Sequence, residues 1–406
     1  SLDIDAVINP RLTMVGRLLR YVRSGRVQTV QKIGDAAEVV EMVVRHGATG
    51  IGRALSALET AGGAMLVTAD HGNCENMLDP GTGGPHTAHT LNPVPVILAG
   101  GPPGARLRDG RLADLAPTLL ARAGAVAFSD DGDAIASAGV MLAVLREVAE
   151  TGCVFMQHCQ EPTLTSGSSM HAGSVSTKLG LIGWPRVAEE IIIERDIRLA
   201  AESGCGYHVQ HLSSGGSVDL IRSARARGLA VSAEASPHHL LLTHEACDGY
   251  NTLAKMNPPL REQADIDAIR AGVADGTITV LATDHAPHAE HEKRQPFETA
   301  PFGIVGLETA LALYAEALVE SGAIGWPRLI ELMTVEPAKL CGLGGLGTLA
   351  VGGAADVTVI DPKQRWTITA DALAGKSSNT PFLGREVTGR AILTIVDGMV
   401  RHELPR

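Results

Sequence analysis

Thr279-Val-Leu-Ala-Thr-Asp-His-Ala-Pro-His288 is a short apolar run that passes directly into acidic and imidazole side chains. Three earlier runs have the same form: Ala125-Val-Ala-Phe128 before Ser-Asp-Asp-Gly132, Val154-Phe-Met156 before Gln-His-Cys-Gln160, and Tyr207–His211 before Leu-Ser-Ser214. A helix-length segment follows each run, and strands that alternate with helices indicate parallel βα units. The pattern therefore predicts an α/β fold with (β/α)8-type barrel strands.

The polar residues at these strand ends predict a metal centre. In a (β/α)8 barrel the carboxyl ends of the strands face the active site, and here they carry Asp131, His158, His211 and Asp284. Imidazole nitrogens and carboxylate oxygens are usual Zn(II) ligands. A lone strand-end histidine is more often structural, and Asp-Asp-Gly is by default a turn. Because four strand ends carry such residues at equivalent positions, the sequence favours a metal site over these structural interpretations.

The chemistry of this set points to hydrolysis. One carboxylate and two histidines on separate strands would hold two ions with a bridging water, which is the arrangement that amide hydrolysis requires. Asp284 would ligate and also carry a proton between water and the leaving nitrogen.

Net charge, cysteine spacing and the length of the apolar runs limit the classes of function that the sequence allows. The net charge of -11 over 406 residues argues against nucleic-acid binding, which needs clustered Lys and Arg, and leaves small polar metabolites as substrates. The six cysteines form no CxxC pair, a pattern typical of a reducing cytosol. The apolar runs are too short to span a membrane, and the N-terminus resembles no signal peptide. We therefore expect a cytoplasmic protein.

Six segments in order resemble the dihydroorotase family, from about residue 123 to the C-terminus. They are Phe128-Ser-Asp-Asp-Gly132, Gln157-His-Cys-Gln-Glu161, His208-Val-Gln-His-Leu-Ser-Ser214, Ser236-Pro-His-His239, Lys255-Met-Asn-Pro-Pro-Leu-Arg261 and Ala282-Thr-Asp-His-Ala-Pro-His288. The resemblance implies a partial (β/α)8 barrel over 123–340 and a small C-terminal β lobe over 341–406. It also implies a binuclear zinc enzyme that reversibly cyclises N-carbamoyl-L-aspartate to L-dihydroorotate in pyrimidine biosynthesis.

The resemblance also implies residue roles. Asp131 would bridge the two metals, His158 and His211 would ligate the second, and Asp284 would ligate the first and act as general acid and base. The residues that would hold the dihydroorotate ring are Asn257, His288, Phe302 and Gly303.

One departure from the family pattern changes the expected activity. Family members open with a His-x-His strand and a nearby substrate-binding Arg, whereas no His-x-His occurs in this sequence. We therefore expect a barrel that lacks its first metal-binding strand, with impaired or lost activity. The alternative is a non-catalytic scaffold that binds aspartate carbamoyltransferase. An unpaired sheet edge favours association with a partner, and the expected partners are this carbamoyltransferase or a second copy of the chain in a homo-oligomer.

Residues 51–122 resemble a different family, the C-terminal end of cofactor-independent phosphoglycerate mutase, of the alkaline phosphatase superfamily. The matching segments are Leu66-Val-Thr-Ala-Asp-His-Gly-Asn-Cys-Glu75, Pro85-His-Thr-Ala-His-Thr90, Pro93-Val-Pro-Val96 and Leu112-Ala-Asp-Leu-Ala-Pro-Thr-Leu-Leu120. In that family Asp70 and His71 would bind one manganese ion and His89 the other. The nucleophilic serine segment is missing, so the segment is interpreted as a vestigial second metal site.

Residues 1–50 carry no assigned motif. The apolar spacing of Ala37, Val40, Val43 and Val44 predicts that this part is helical in places, and a further helix is expected over 51–62.

Overall fold

The structure is a computed structural model that describes residues 125–132 and 134–404 in full. It also describes the backbone of four earlier strands: β1 (Arg26–Ile33), β2 (Ala37–Val43), β3 (Met65–Val67) and β4 (Ile97–Ala99). The chain divides into two compact units, Ser1–Leu119 and Leu120–Arg406.

In the first unit, two antiparallel pairs are described. Strand β1 pairs with β2, with Ile33 opposite Ala37, and β3 pairs with β4, with Met65 opposite Ala99. The helix predicted from Ala37, Val40 and Val43 is wrong. Valines are stiff at χ1 and favour extended backbone, so pairing with β1 prevails over the helical spacing. The helix expected over 51–62 lies outside the described residues.

The second unit alternates strands and helices before it ends in long strands. Its strands are β5 (Ala127–Asp130), β6 (Val154–Gln157), β7 (Met170–His171), β8 (Gly183–Trp184), β9 (Gly206–Val209), β10 (Val231–Ala235), β11 (Val280–Leu281), β12 (Val357–Thr367), β13 (Glu386–Val396) and β14 (Met399–Glu403).

Helices of this unit lie between and after the strands. The α-helices are α1 (Ala138–Thr151), α2 (Pro162–Thr165), α3 (Ser174–Leu179), α4 (Val187–Ser203), α5 (Gly215–Ala226), α6 (Pro237–Leu241), α7 (Gln263–Ala274), α8 (Glu290–Lys293), α9 (Ala310–Tyr314), α10 (Trp326–Met333) and α11 (Val335–Leu340). Short 3-10 helices span His244–Tyr250, Thr252–Ala254 and Ala370–Ala372, and a π-helix spans Ala315–Glu320.

A parallel sheet of five strands, in the order β5-β6-β9-β10-β11, organises the unit. This confirms the predicted parallel βα architecture. Strands β7 and β8 form a separate parallel pair, and β12-β13-β14 form an antiparallel sheet in the C-terminal part. Among the described strands, β5 and β11 are the two edges of the five-stranded sheet.

Helix α1 shows how the sequence positions these layers. The Ser137 side chain caps its N-terminus by accepting from the Val140 amide, and Gly152 ends it with φ of 72°, a conformation that suits glycine. Met141, Leu145 and Val148 recur at helical spacing and are fully buried in the main hydrophobic core. The helix thus packs on the sheet and leaves the strand ends free for polar residues.

Tyr314, at the end of α9, joins the carboxyl ends of two strands. Its buried hydroxyl donates to Ala235 O of β10 at 2.6 Å and contacts Ala282 O after β11. Tyr314→Phe leaves these carbonyls without that donor, so we expect the free energy of unfolding to fall by about 1–2 kcal/mol in urea titrations. The control is Tyr250→Phe, whose exposed hydroxyl donates to Leu179 O. Equal losses in the two variants would contradict this role for Tyr314.

Candidate metal centre

The strand ends of the parallel sheet bring the predicted ligands to one edge. Asp131 follows β5 directly, His158 follows β6 directly, His211 comes two residues after β9, and Asp284 comes three residues after β11. Because the strands are parallel, all four lie at their carboxyl ends.

Three of these side chains converge on one point. His211 Nε2 lies 3.2 Å from His158 Nδ1 and 3.3 Å from Asp131 Oδ1. One potential ligand atom from each of the three residues lies within 4.8 Å of the others. The two imidazoles are buried, whereas the Asp131 side chain is 58% exposed. The cluster therefore lies at the base of an opening, with one wall accessible to solvent.

The neighbouring charges and burial set the pKa values of the two histidines of the cluster. Burial and the nearby His211 charge lower the pKa of His158 to about 4. Burial also acts to lower the pKa of His211, but the Asp131 hydrogen bond and the Asp284 and Glu234 charges raise it to about 9. When His211 is protonated, its Nε2–H would lie between an imidazole nitrogen and a carboxylate oxygen.

A divalent ion fits the place of that proton. His158 Nε2 donates to Gln160 Oε1 at 2.9 Å, which leaves the lone pair of Nδ1 facing the cluster. Two imidazole nitrogens and a carboxylate oxygen suit zinc and other borderline divalent ions. The donor set of the described residues therefore fits a metal.

Asp284 lies beside the cluster as a largely buried carboxyl group. Its Oδ2 has no hydrogen-bond partner among the described residues, and its φ is 48°. Burial raises the pKa of Asp284 to about 6, against the lowering effect of the His211 charge. Such a carboxyl group can hold or release a proton near neutral pH.

A cavity of about 200 Å³ opens over this cluster. Apart from His288, all the predicted site residues that the structure describes line it, and Met256 and Ala286 contribute further walls. Asn257 Nδ2 donates to Gln160 Oε1 at 3.2 Å, and Asn257 Oδ1 is buried with no partner among the described residues. Asn257 Oδ1 is thus an unused acceptor in the cavity wall, in addition to Asp284 Oδ2.

The cavity wall at Phe302 and Gly303 is a backbone loop whose N–H and carbonyl groups are mostly hydrogen-bonded to other parts of the protein. Gly303 N–H donates to Lys255 O at 3.0 Å. Gly303 has φ of 139°, and a Cβ at this position would lie 2.6 Å from the Cβ of Ala286. His288 Nε2 donates to Phe302 O at 2.7 Å. His288 therefore supports the wall, and Gly303 contributes shape to the cavity.

Sequence reasoning missed three buried side chains that hold this loop. Lys255 Nζ donates to Phe297 O at 2.6 Å and Ala300 O at 2.7 Å. Lys293 Nζ donates to Pro301 O at 2.9 Å and Gly303 O at 3.0 Å. Asn379 Nδ2 donates to Ala286 O and Gly303 O, at 2.9 and 3.0 Å. Lys255 lies in one of the six segments that resemble the family, which was the available signal, whereas Lys293 and Asn379 lie in none of the six.

Lys293→Met is expected to loosen the loop. The change leaves the Pro301 and Gly303 carbonyls without their ammonium donor, so we expect the free energy of unfolding to fall by about 2–4 kcal/mol. Amide hydrogen exchange in 294–303 should accelerate in the folded protein. The control is Lys339→Met, which removes only an exposed ion pair with Glu336. Unchanged exchange in the loop would show that Lys293 does not hold it.

The predicted manganese residues Asp70, His71 and His89 lie outside the described residues. In the part of the chain that the structure describes, none of the helices combines the length and apolar composition needed to cross a bilayer.

Comparison with known proteins assigns the family. The sequence model of the amidohydrolase family matches residues 112–401. The chain belongs to the amidohydrolase family. Within that family it is dihydroorotase-like: it is 48% identical over 281 residues to the dihydroorotase of Pelotomaculum thermopropionicum, covering 69% of this chain and 66% of that protein.

Two further matches agree with this family. The dihydroorotase of Leifsonia xyli subsp. xyli is 43% identical over 310 residues, covering 76% of this chain and 69% of that protein. The L-hydantoinase (dihydropyrimidinase) from Arthrobacter aurescens superposes with a TM-score of 0.63 at 28% identity, covering 71% of this chain and 67% of that chain. The chain spans about two thirds of the length of these relatives. The family match and the structural superposition give it a TIM-barrel-like α/β hydrolase fold.

Residues 34–126 give a separate match. They fit the sequence model of the metalloenzyme superfamily.

Proposed function

We propose that the chain cyclises N-carbamoyl-L-aspartate to L-dihydroorotate, reversibly, at a zinc site formed by Asp131, His158, His211 and Asp284. The observation that carries this proposal is the convergence of two imidazole nitrogens and a carboxylate oxygen at the carboxyl edge of the sheet. The dihydroorotases that the chain resembles support the choice of substrate.

Zinc and Asp284 would have separate roles in the reaction. When bound, zinc would polarise the amide carbonyl and make a water more acidic. Asp284, with a pKa near 6, would take a proton from water in the hydrolytic direction and deliver it to the ring nitrogen. In the cyclising direction the same carboxylate would accept the proton of the ureido nitrogen.

Asn257 and Phe302 would orient the ring. The unused Asn257 Oδ1 is suited to accept a ring N–H, because a buried acceptor without a partner is unfavourable until a donor reaches it. The Phe302 ring packs edge-to-face on Trp184, with centroids 6.2 Å apart, and offers a flat apolar wall. His288 would act indirectly, through its hydrogen bond to Phe302 O.

An assay with paired substrates tests the substrate class. The purified chain, supplied with zinc, is given L-dihydroorotate and, separately, dihydrouracil, which lacks the carboxylate. Turnover of dihydroorotate in preference to dihydrouracil supports the proposal. Preference for dihydrouracil would replace it with a dihydropyrimidinase-type activity, as the name of the Arthrobacter protein suggests for that relative.

A second candidate is a scaffold that binds aspartate carbamoyltransferase. The scaffold hypothesis predicts no turnover of L-dihydroorotate or dihydrouracil. It also predicts a stable complex with the carbamoyltransferase in size-exclusion chromatography. A homo-oligomer would elute at a multiple of the 42.3 kDa chain mass without added partner.

We also propose that residues 51–122 derive from a phosphoglycerate-mutase-like enzyme and retain manganese ligands at Asp70, His71 and His89. The metalloenzyme match over 34–126 supports this. Manganese that is lost in Asp70→Asn but kept in Asp131→Asn is the expected result. Manganese lost only in Asp131→Asn would place the ion at the amidohydrolase site instead.

A further inference from the structure

A polar column runs along one face of the parallel sheet, between β9 and β10. Ser232 lies opposite His208 in the strand register, and its Oγ lies 2.7 Å from His208 Nδ1. His208 Nε2 lies 3.1 Å from Glu234 Oε2, and Glu234 Oε1 accepts from the His211 backbone N–H at 3.2 Å. The column therefore starts inside the sheet and ends at the central residue of the candidate metal centre.

This column is unusual for its location. The inward-facing positions of barrel strands are normally filled by branched apolar side chains. Here the His208 side chain is fully buried and that of Glu234 is only 13% exposed. A buried carboxylate is unfavourable unless its partners compensate it. The roles proposed above for the candidate ligands and ring contacts use none of the three side chains, so the column requires another explanation.

The residue at the end of the column has a strained backbone. His211 has φ of 28°, a left-handed conformation that non-glycine residues rarely adopt. Such conformations persist when surrounding contacts hold them, and they cluster at functional sites. Glu234 provides two of these contacts: its side chain accepts from His211 N–H, and its backbone carbonyl accepts from Leu212 N–H at 3.2 Å.

We propose that Glu234 is a positioning residue that holds His211 in its left-handed conformation, so that His211 Nε2 faces His158 and Asp131. His208 and Ser232 fix the Glu234 carboxylate in turn. The expected effect on zinc binding rests on the proposed function, in which His211 is a metal ligand. The expected effect on the His211 backbone does not depend on that role.

Two substitutions separate the hydrogen bond from the charge. Glu234→Gln keeps an acceptor oxygen for His211 N–H and removes the charge, while the other tautomer of His208 can accept from the new amide. Glu234→Met keeps a similar volume and removes the acceptor. We expect zinc affinity within about 3-fold of wild type for Gln and a loss of about 10- to 100-fold for Met, the range typical of residues that orient a ligand.

A matched control excludes general destabilisation. Leu329→Ala creates a cavity in the buried face of α10, within the same hydrophobic core, and should lower stability while leaving zinc affinity unchanged. If Leu329→Ala weakens zinc binding as much as Glu234→Met at comparable loss of stability, the positioning role is overturned.

Amide hydrogen exchange in the zinc-free protein supplies a readout that does not depend on metal or turnover. The His211 and Leu212 amides should exchange slowly in wild type and Glu234→Gln, and at least about 10-fold faster in Glu234→Met. If wild type binds no zinc, the proposed function fails, and this exchange result still decides the role of Glu234. Equal protection in all three proteins overturns the inference, and so does a Gln variant that exchanges as fast as Met.

Discussion

His211→Asn is expected to lower the zinc affinity of this chain by on the order of 100-fold or more, the largest effect of any single change in the cluster. His211 Nε2 is the one atom that approaches both other groups, at 3.2 Å from His158 Nδ1 and 3.3 Å from Asp131 Oδ1. Asparagine cannot extend a donor atom to that point. Isothermal titration with zinc ions measures the change.

The control for this variant is His402→Asn, at an exposed position on β14. It removes an imidazole without approaching the cluster, so its zinc affinity should equal that of wild type. If His211→Asn and wild type bind zinc equally, the ion occupies another place and the ligand assignment is wrong.

Asp284→Asn is expected to reduce kcat for L-dihydroorotate by about 100- to 10,000-fold, the range for loss of a general acid or base. The amide has the same shape as the carboxylate but cannot exchange a proton near pH 6, where burial places the pKa of Asp284. Because Asp284 lies outside the convergent cluster of Asp131, His158 and His211, that part of the site should keep its zinc.

Steady-state kinetics and zinc analysis on the same preparations separate the two roles of Asp284. Loss of kcat with zinc retained indicates proton transfer, and loss of both indicates a ligand whose removal releases the ion. Asp267→Asn, an exposed aspartate of α7, is the control and should match wild type. An Asp284→Asn protein with undiminished kcat would contradict the proposed mechanism.

The convergence of three predicted ligands at one edge of the sheet could be predicted from the sequence, because it follows from local order. Asp131, His158 and His211 follow their strands within two residues, and parallel strands align their carboxyl ends, so the three side chains converge once the sheet forms. The supporting residues were harder to predict. Glu234 lies on β10, whose carboxyl end carries none of the predicted ligands, and it acts through a backbone amide 23 residues away in sequence.

Long-range contacts also account for the remaining differences. Lys293 and Asn379 hold the Gly303 carbonyl from positions 10 and 76 residues away, and no local pattern specifies such bonds. His288 was predicted to hold the ring; in the structure its Nε2 donates to Phe302 O, and it is not among the residues that line the cavity. The strand at Ala37–Val43 was predicted as a helix, because the apolar spacing alone does not report the pairing partner β1.

Anomalous diffraction at the zinc edge, from crystals grown with zinc, would locate the ion relative to Asp131, His158 and His211. We predict a peak about 2.0–2.1 Å from His158 Nδ1 and His211 Nε2, within reach of Asp131, because this is the bonding distance of zinc to imidazole. A zinc-saturated crystal with its peaks elsewhere, and none between these three side chains, would contradict this prediction.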